Sequence, residues 1–510
     1  LQLTEKLQSK MEMKSNNLAR KFLIALFEPE FEREFRYLRI LWLGSLYGLG
    51  LLLWGYFLGW RLMPLDYHDW GVITLLRLDA IRDALYYGQI PFHLKDVSAL
   101  HGVDRFFSLP DIITTPQMIL LRFISLQSFI FMDILFHYSL GFAGLLWFRR
   151  KYNLSLIAFS LMTGLFSLNG HILLHYAVGH FTWGGYFLFP ALFALLFRFV
   201  EETPTWHWVA KVAFLMFYMV LAGSEHHFLW FLLFIGVLTL VEYKKFWWGF
   251  AAMLTSGLLS AIRLLPPAVS TSSFYQMGMR GALFSYANPL KPLEMMLFYT
   301  APGTNADFEL PSIYWEYTLY IGIAGTIFVL FFGFCLSLWF AIKANPPGKL
   351  FQKFLLPALF VFSLAIGNTY ELLRATEITI FYGERAVMRM ISVPFVLLII
   401  FSAINFQEWL KTSPRKFYLP LCLVSGVIFY QLIEHIQVWQ VKNAREAFGK
   451  VSFGQSLLNL SILLEGNSIQ NHPDPVYFGT LGIGLTLTLL TSAFLIWQVY
   501  RNRPLPPAQP

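Results

Sequence analysis

Long apolar runs separated by short polar segments set the pattern of this chain. About twelve such runs occur, at 38–60, 120–148, 154–176, 181–200, 206–223, 228–241, 246–265, 317–342, 350–367, 387–409, 417–436 and 476–499. Runs of this kind match the length at which a helix crosses a hydrocarbon core; the run at 228–241 is the shortest. Alternating ten-residue strand patterns are absent, so helices are the expected spanning form. The expected fold is all-α: a polytopic membrane helix bundle with about twelve transmembrane helices.

One stretch carries a different periodicity. In "VITLLRLDAIRDALYYGQIPF", Asp79, Arg82, Asp83 and Tyr86 share one helical face, and Ile73, Leu76, Leu78, Ile81 and Leu85 fill most of the rest. Gly88 ends this helix and Pro91 prevents its return. Too short and too charged to span, it is expected to lie along the membrane surface in the first outer loop.

The charged residues orient the bundle. Segments 148–153, 198–211, 242–245, 343–353, 411–416 and 500–504 are nearly all net basic. The loop from Arg61 to Arg122 carries seven Asp against six Lys or Arg. Basic segments stay on the cytoplasmic side, so both termini are expected there, with long outer loops at 61–119, 266–316, 368–386 and 437–475. Three regions follow: a polar surface-helix segment over 1–37, a transmembrane core over 38–410, and a C-terminal pair of spans over 411–510.

Composition fits this reading. Hydrophobic residues make up 56% of the chain and charged ones only 13%, outside the soluble globular range. The net charge of +8 is accounted for by the segments between spans and gives no reason to invoke nucleic acid. Cys335 and Cys422 both sit within apolar runs and suggest no disulfide framework.

Asp66 and Asp69 stand just past the first run, where charge meets hydrocarbon. The plain reading is a solvated turn with Asp69 as a helix N-cap. The sharper reading is a catalytic carboxylate that takes the proton from an acceptor hydroxyl while a phosphate leaves, or that holds a divalent cation. Near the other outer boundaries lie His171 and His175, one helical turn apart, then His180, and then Glu225, His226 and His227. His171, His175, Glu225 and His226 are a candidate metal set, alongside the plain reading of interfacial anchors. Arg263, Arg385 and Arg389 are candidate phosphate-binding cations; snorkelling or pairing with neighbours is the alternative. Asp133 and His137 share one face of the second run and suggest a buried hydrogen-bonded pair.

Several segments, in order, resemble the GT-C superfamily of polyprenyl-phosphate-sugar-dependent glycosyltransferases, and within it most nearly the bacterial YfhO-like membrane proteins. They are Asp69 leading into "IRDALYYGQIP" (81–91), "NGHILLHYAVGHFTWGGYFLFP" (169–190), "LLSAIRLLPPAVSTSSF" (258–274), "WEYTLYIGIAG" (315–325) and "YGERAVMRMISVPFVLLIIFSA" (382–403). The likeness covers most of 60–410. YfhO-like chains often carry a folded outer domain towards the C-terminus, where this chain has the loop 437–475 and one span.

The resemblance implies inverting transfer of a sugar from a polyprenyl-phosphate carrier at the outer face of a bacterial plasma membrane. It points to Asp69, with Asp66 next in line, as the carboxylate. Mg or Mn is a possible cofactor; the lipid-linked sugar, membrane lipids and a membrane protein are the possible partners. Two other readings compete: a non-catalytic scaffold subunit of a larger complex, and a lipid or solute transporter.

Overall fold

The computed structural model describes residues 20–34, 36–95, 104–108, 111–270, 283–303, 313–378, 381, 384–449 and 469–502. Among them the fold is all-helical, and β-structure is limited to isolated bridges. The helices used below are α1 (Arg36–Phe57), α2 (Leu75–Tyr87), α3 (Leu126–Lys151), α4 (Leu156–Ser167), α5 (Gly170–Ala177), α6 (Phe189–Glu201), α7 (Trp206–Leu221), α8 (Glu225–Val241), α9 (Phe246–Leu259), α10 (Tyr314–Tyr317), α11 (Pro346–Leu364), α12 (Ser392–Thr412), α13 (Tyr418–Val438), α14 (Val441–Phe448) and α15 (Pro475–Arg501).

Eight helices among the described residues are long and apolar enough to cross a membrane. They include α1, α3, α13 and α15, the joined stretches Leu156–Ala177 and Phe181–Glu201, Tyr314–Ile342 and Val387–Thr412. A ninth span results if the pair Glu225–Val241 and Tyr243–Leu259, bent by 109°, counts as one. The structure therefore supports an integral membrane helix bundle without confirming about twelve spans. The difference lies mainly at 206–259, where three apolar runs form helices too short to pass alone.

Burial separates inner from outer helices. Leu156–Ala177 is enclosed on all sides, whereas α1, α13 and α15 leave most of their apolar side chains uncovered. Leu41, Leu423, Leu489 and Leu490 are more than half exposed. Apolar surface on this scale is tolerated against lipid and not against water.

Local chemistry explains several ends. Ser125 caps α3 by accepting from Ser128 N, and Arg149, Arg150 and Lys151 complement the dipole at its far end. Asn169 interrupts the central span. Its Oδ1 caps α5 by accepting from Ile172 N at 3.3 Å, while its Nδ2 donates to Leu165 O and Phe166 O.

Two sets of contacts mark the ends of the bundle. At one end Arg415 pairs with Glu28, Arg149 with Glu32, Lys151 with Glu201, and Lys353 with Glu242. At the other, the first loop meets 176–183, 313–321, 439–449 and 469–474.

One expectation about the first loop is corrected. The polar face of α2 does not look out to water over a membrane-seated apolar face. Asp79 and Asp83 are buried, and the turn Pro116–Arg122 packs over the helix. It is Tyr86 and Tyr87 that are exposed.

Candidate functional site

The loop carrying Asp69 is moulded onto the end of α5. Tyr67 Oη donates to Ala177 O (2.5 Å), Trp70 Nε1 to Tyr176 O (2.9 Å), Asp69 N to Val178 O (3.1 Å) and Thr74 Oγ1 to Gly179 O (2.9 Å). The last carbonyls of a helix lack intrahelical partners, and this loop supplies donors to several of them. Gly179 has φ +97, and a Cβ there would lie 2.3 Å from Trp70 N. Only glycine allows this approach, which turns His180 back towards Asp69. Asp69 does not act as the helix cap that its position suggests, because its side chain makes no capping hydrogen bond.

Its carboxylate faces two histidines. His180 Nε2 lies 3.0 Å from Oδ2, and His68 Nδ1 lies 3.4 Å from Oδ1 and 3.0 Å from Val178 O. Burial pushes the Asp69 carboxyl upward, but the hydrogen bond from His180, with His68 and Arg389 nearby, outweighs it and holds the group below its usual value. Burial pushes the His68 imidazole down, which favours its neutral form.

The hydrogen bonds constrain the tautomers. With Nε2 of a neutral His180 donating to Asp69, its Nδ1 must accept. His175 Nδ1, 2.7 Å away, is then the donor. His175 Nε2 is left as a bare acceptor, fully buried and without a hydrogen-bond partner. The His175 ring stacks on Trp183 at 3.4 Å and 11°. Proton-carrying groups thus run inward from Asp69 through His180 to His175.

Beside them is a buried ion pair. Arg389 grips Glu316 with two nitrogens, Nε at 2.5 Å and the second through NH2, and its guanidinium lies 5.7 Å over the Trp183 ring. Glu316 sits 3.9 Å from both His175 and His180. A paired arginine and carboxylate in this geometry is mutually neutralising. Across Trp183 lie His227 and Trp230, then Glu384, which accepts from Trp230 Nε1 and faces His226 Nδ1, both at 2.9 Å. Burial raises the Glu384 carboxyl, but His226 outweighs it and the group stays below its usual value.

The candidate residues separate into groups. Asp69, His171, His175 and Arg389 meet in one cluster, where His171 packs edge-on against His175 and Trp183. His226 joins the adjoining Glu384 group. Arg263 is fully buried elsewhere, 3.7 Å from Asp111 and over the Phe107 ring, with Glu225 in electrostatic reach. Asp66 is held by Arg445 through both carboxylate oxygens, at 2.6 and 2.5 Å. Arg385 is exposed and contributes its backbone carbonyl to Phe284 N. Asp133 and His137 form the expected buried pair, 3.2 Å apart.

Four participants were not singled out from sequence as site residues: His180, Trp183, Glu316 and Glu384. Glu316 carried a usable signal, since an ionisable residue entering an apolar run is a functional candidate by default.

The expected metal set of His171, His175, Glu225 and His226 does not assemble as one group. The ligand-competent group here is His175, His180 and Glu316, with one donor atom from each within 4.8 Å of the others. It fits Mg poorly: Mg prefers oxygen ligands, and both Glu316 oxygens already bond Arg389.

Together these features describe a polytopic helical membrane protein with a buried ionisable cluster at its loop-rich end. No protein-family model matches the chain, and no curated protein matches it.

Proposed function

We propose that this protein is a GT-C-type glycosyltransferase that moves a sugar from a polyprenyl-phosphate carrier to an acceptor hydroxyl. In this reading the bundle has about twelve spans, both termini are cytoplasmic, and the Asp69 end faces outward from a bacterial plasma membrane. Asp69 takes the acceptor proton as the acceptor oxygen attacks the anomeric carbon. The bond from that carbon to the phosphate oxygen breaks, the phosphate leaves as an anion, and the configuration inverts. His180 and His68 orient the carboxylate, and Arg389 is the nearest guanidinium to the departing charge. No step passes through a metal.

The observation that carries the reading is the state of Asp69. It is partly open, aligned by two imidazoles and held ionised, and among the described residues no arginine or lysine pairs with it directly. An ionised carboxylate that is open to solvent and bound to imidazoles is able to accept a proton, and these contacts, not the lowered value, support the reading. The scaffold reading draws on a different feature, the mutual neutralisation of Glu316 and Arg389. Transfer of labelled sugar by the purified full chain in lipid, from a panel of polyprenyl-phosphate donors, decides between them. The proposal expects transfer from at least one donor; none with any donor contradicts it.

A further inference from the structure

A second ionisable group lies apart from Asp69, where the first loop meets the segment before α15. The two strands of chain run antiparallel: Leu94 bridges Ile469, Gln470 N donates to His93 O at 3.0 Å, and Asn471 Oδ1 accepts from Phe92 N and His93 N, both at 3.0 Å. This pairing lays His93 on His472, ring centroids 3.8 Å apart. His472 Nε2 is 3.0 Å from Asp104 Oδ2. One donor atom from each of His93, Asp104 and His472 falls within 4.8 Å of the other two.

The outer partners of the two rings complete the picture. His93 Nε2 faces Asp474 Oδ2 at 3.5 Å, and His472 Nδ1 faces Pro473 O at 3.4 Å. An imidazole that donates from one nitrogen presents a lone pair on the other. His93 therefore offers Nδ1, and His472 Nε2, which donates to Asp104 Oδ2 in the ion-free protein, offers its lone pair once an ion displaces that proton. His93 Nδ1 is buried and has no hydrogen-bond partner. Metal-bound histidines show this arrangement, with the far nitrogen donating to a carboxylate or a carbonyl. Asp474 is further anchored by Arg105 Nε at 2.7 Å and caps α15 by accepting from Tyr477 N.

We infer that His93 Nδ1, His472 Nε2 and the Asp104 carboxylate bind a divalent transition-metal ion of the zinc class, with a fourth position left to water. Two imidazoles and one carboxylate suit zinc and not the oxygen-seeking Mg or Ca. Ligands at about 2.0–2.1 Å from a tetrahedral ion lie roughly 3.4 Å from one another. Two imidazoles on one tetrahedral ion hold their ring centroids roughly 5 Å apart, so binding parts the stacked His93 and His472 rings, and the half-exposed His472 and Asp104 turn to close the set. The ion staples the first loop to the last span, joining residues nearly 380 apart in the chain.

The test uses the full chain without a polyhistidine tag, freed of metal by chelation and titrated with zinc chloride by calorimetry. Cobalt(II) absorption serves as a second readout of tetrahedral geometry. The expected result is one equivalent bound and a higher Tm with zinc. His472→Gln and Asp104→Asn, both surface changes, are expected to weaken binding at least tenfold and to abolish the Tm rise. No binding by the unaltered protein at micromolar zinc overturns the inference. Undiminished binding by both variants does so equally.

Discussion

Asp66 and Asp69 are three residues apart in one loop and are exposed almost equally, at 33% and 31% of the side chain. Their chemistry diverges completely. Asp66 is clamped by the guanidinium of Arg445, on α14, and its charge is cancelled. Among the described residues the Asp69 carboxylate meets imidazoles directly, groups that can hand over or accept a proton. Exposure and residue type therefore do not decide how each carboxylate is held; the partner does. A fixed cation stores a carboxylate, whereas a histidine leaves it available for proton transfer.

The largest expected effect separates the two aspartates directly. If the proposed transfer holds, Asp69→Asn is expected to lower it by about 10²–10⁴, the usual contribution of a positioned general base, and Asp66→Asn to change it by only a few-fold. Initial rates on protein that still elutes as a single folded species check this. Because Asp69 is held below its usual value, its carboxylate stays ionised at pH 5, and its protonation on acidification comes at a lower pH than for a free aspartate.

Next in size is the ion pair beside Asp69. Arg389→Gln leaves Glu316 buried and uncompensated and is expected to destabilise by about 3–5 kcal/mol. Thermal unfolding in detergent reads this, and adding Glu316→Gln recovers part of the loss. Gly179→Ala strains the left-handed turn and drives a Cβ into Trp70 N, at a cost of about 1–3 kcal/mol. Because it separates the Asp69 loop from His180, transfer falls more than stability does.

Asp79, in the same loop, sharpens the contrast through burial. Its carboxyl is pushed up to about 6, mainly by burial and despite its pairing with Arg82. The folded state then favours the protonated form, so this residue costs nothing below pH 4. The penalty grows as pH rises from about 4 to 6 and levels off above, reaching about 1–3 kcal/mol. Asp79→Asn is expected to flatten stability across that window, which unfolding midpoints measured from pH 4 to 7 test.

The smallest effect is the stability lost on breaking the Asp66–Arg445 pair. Both partners are about one-third exposed, so Arg445→Gln is expected to cost about 1 kcal/mol or less.

Several of these features were legible in the chain. The hydrophobic runs announce a membrane bundle, and the position of Asp69 past the first run marks it for attention. The spacing of Asp133 and His137 predicts their pairing. What hydropathy does not carry is the identity of neighbours. Arg445 reaches Asp66 from a distant segment, and nothing near Asp66 in sequence announces it. Asp79 and Asp83 look like a solvated face because tertiary burial, such as the packing of the Pro116–Arg122 turn on this helix, is invisible to a helical wheel. The span count stays unconfirmed over 206–259, because composition does not report the bend between α8 and α9. Glu316 escapes notice because its partner, Arg389, lies 73 residues away, and sequence neighbours suggest other carboxylates for that arginine.

The measurement that bears most directly on the account is sugar transfer by Asp69→Asn and Asp66→Asn side by side, in lipid, with the donor that the unaltered protein uses. The account predicts transfer lost in Asp69→Asn and kept in Asp66→Asn, with both proteins folded. Transfer kept by Asp69→Asn and lost by Asp66→Asn would contradict it, because the arginine-bound carboxylate would then be the base.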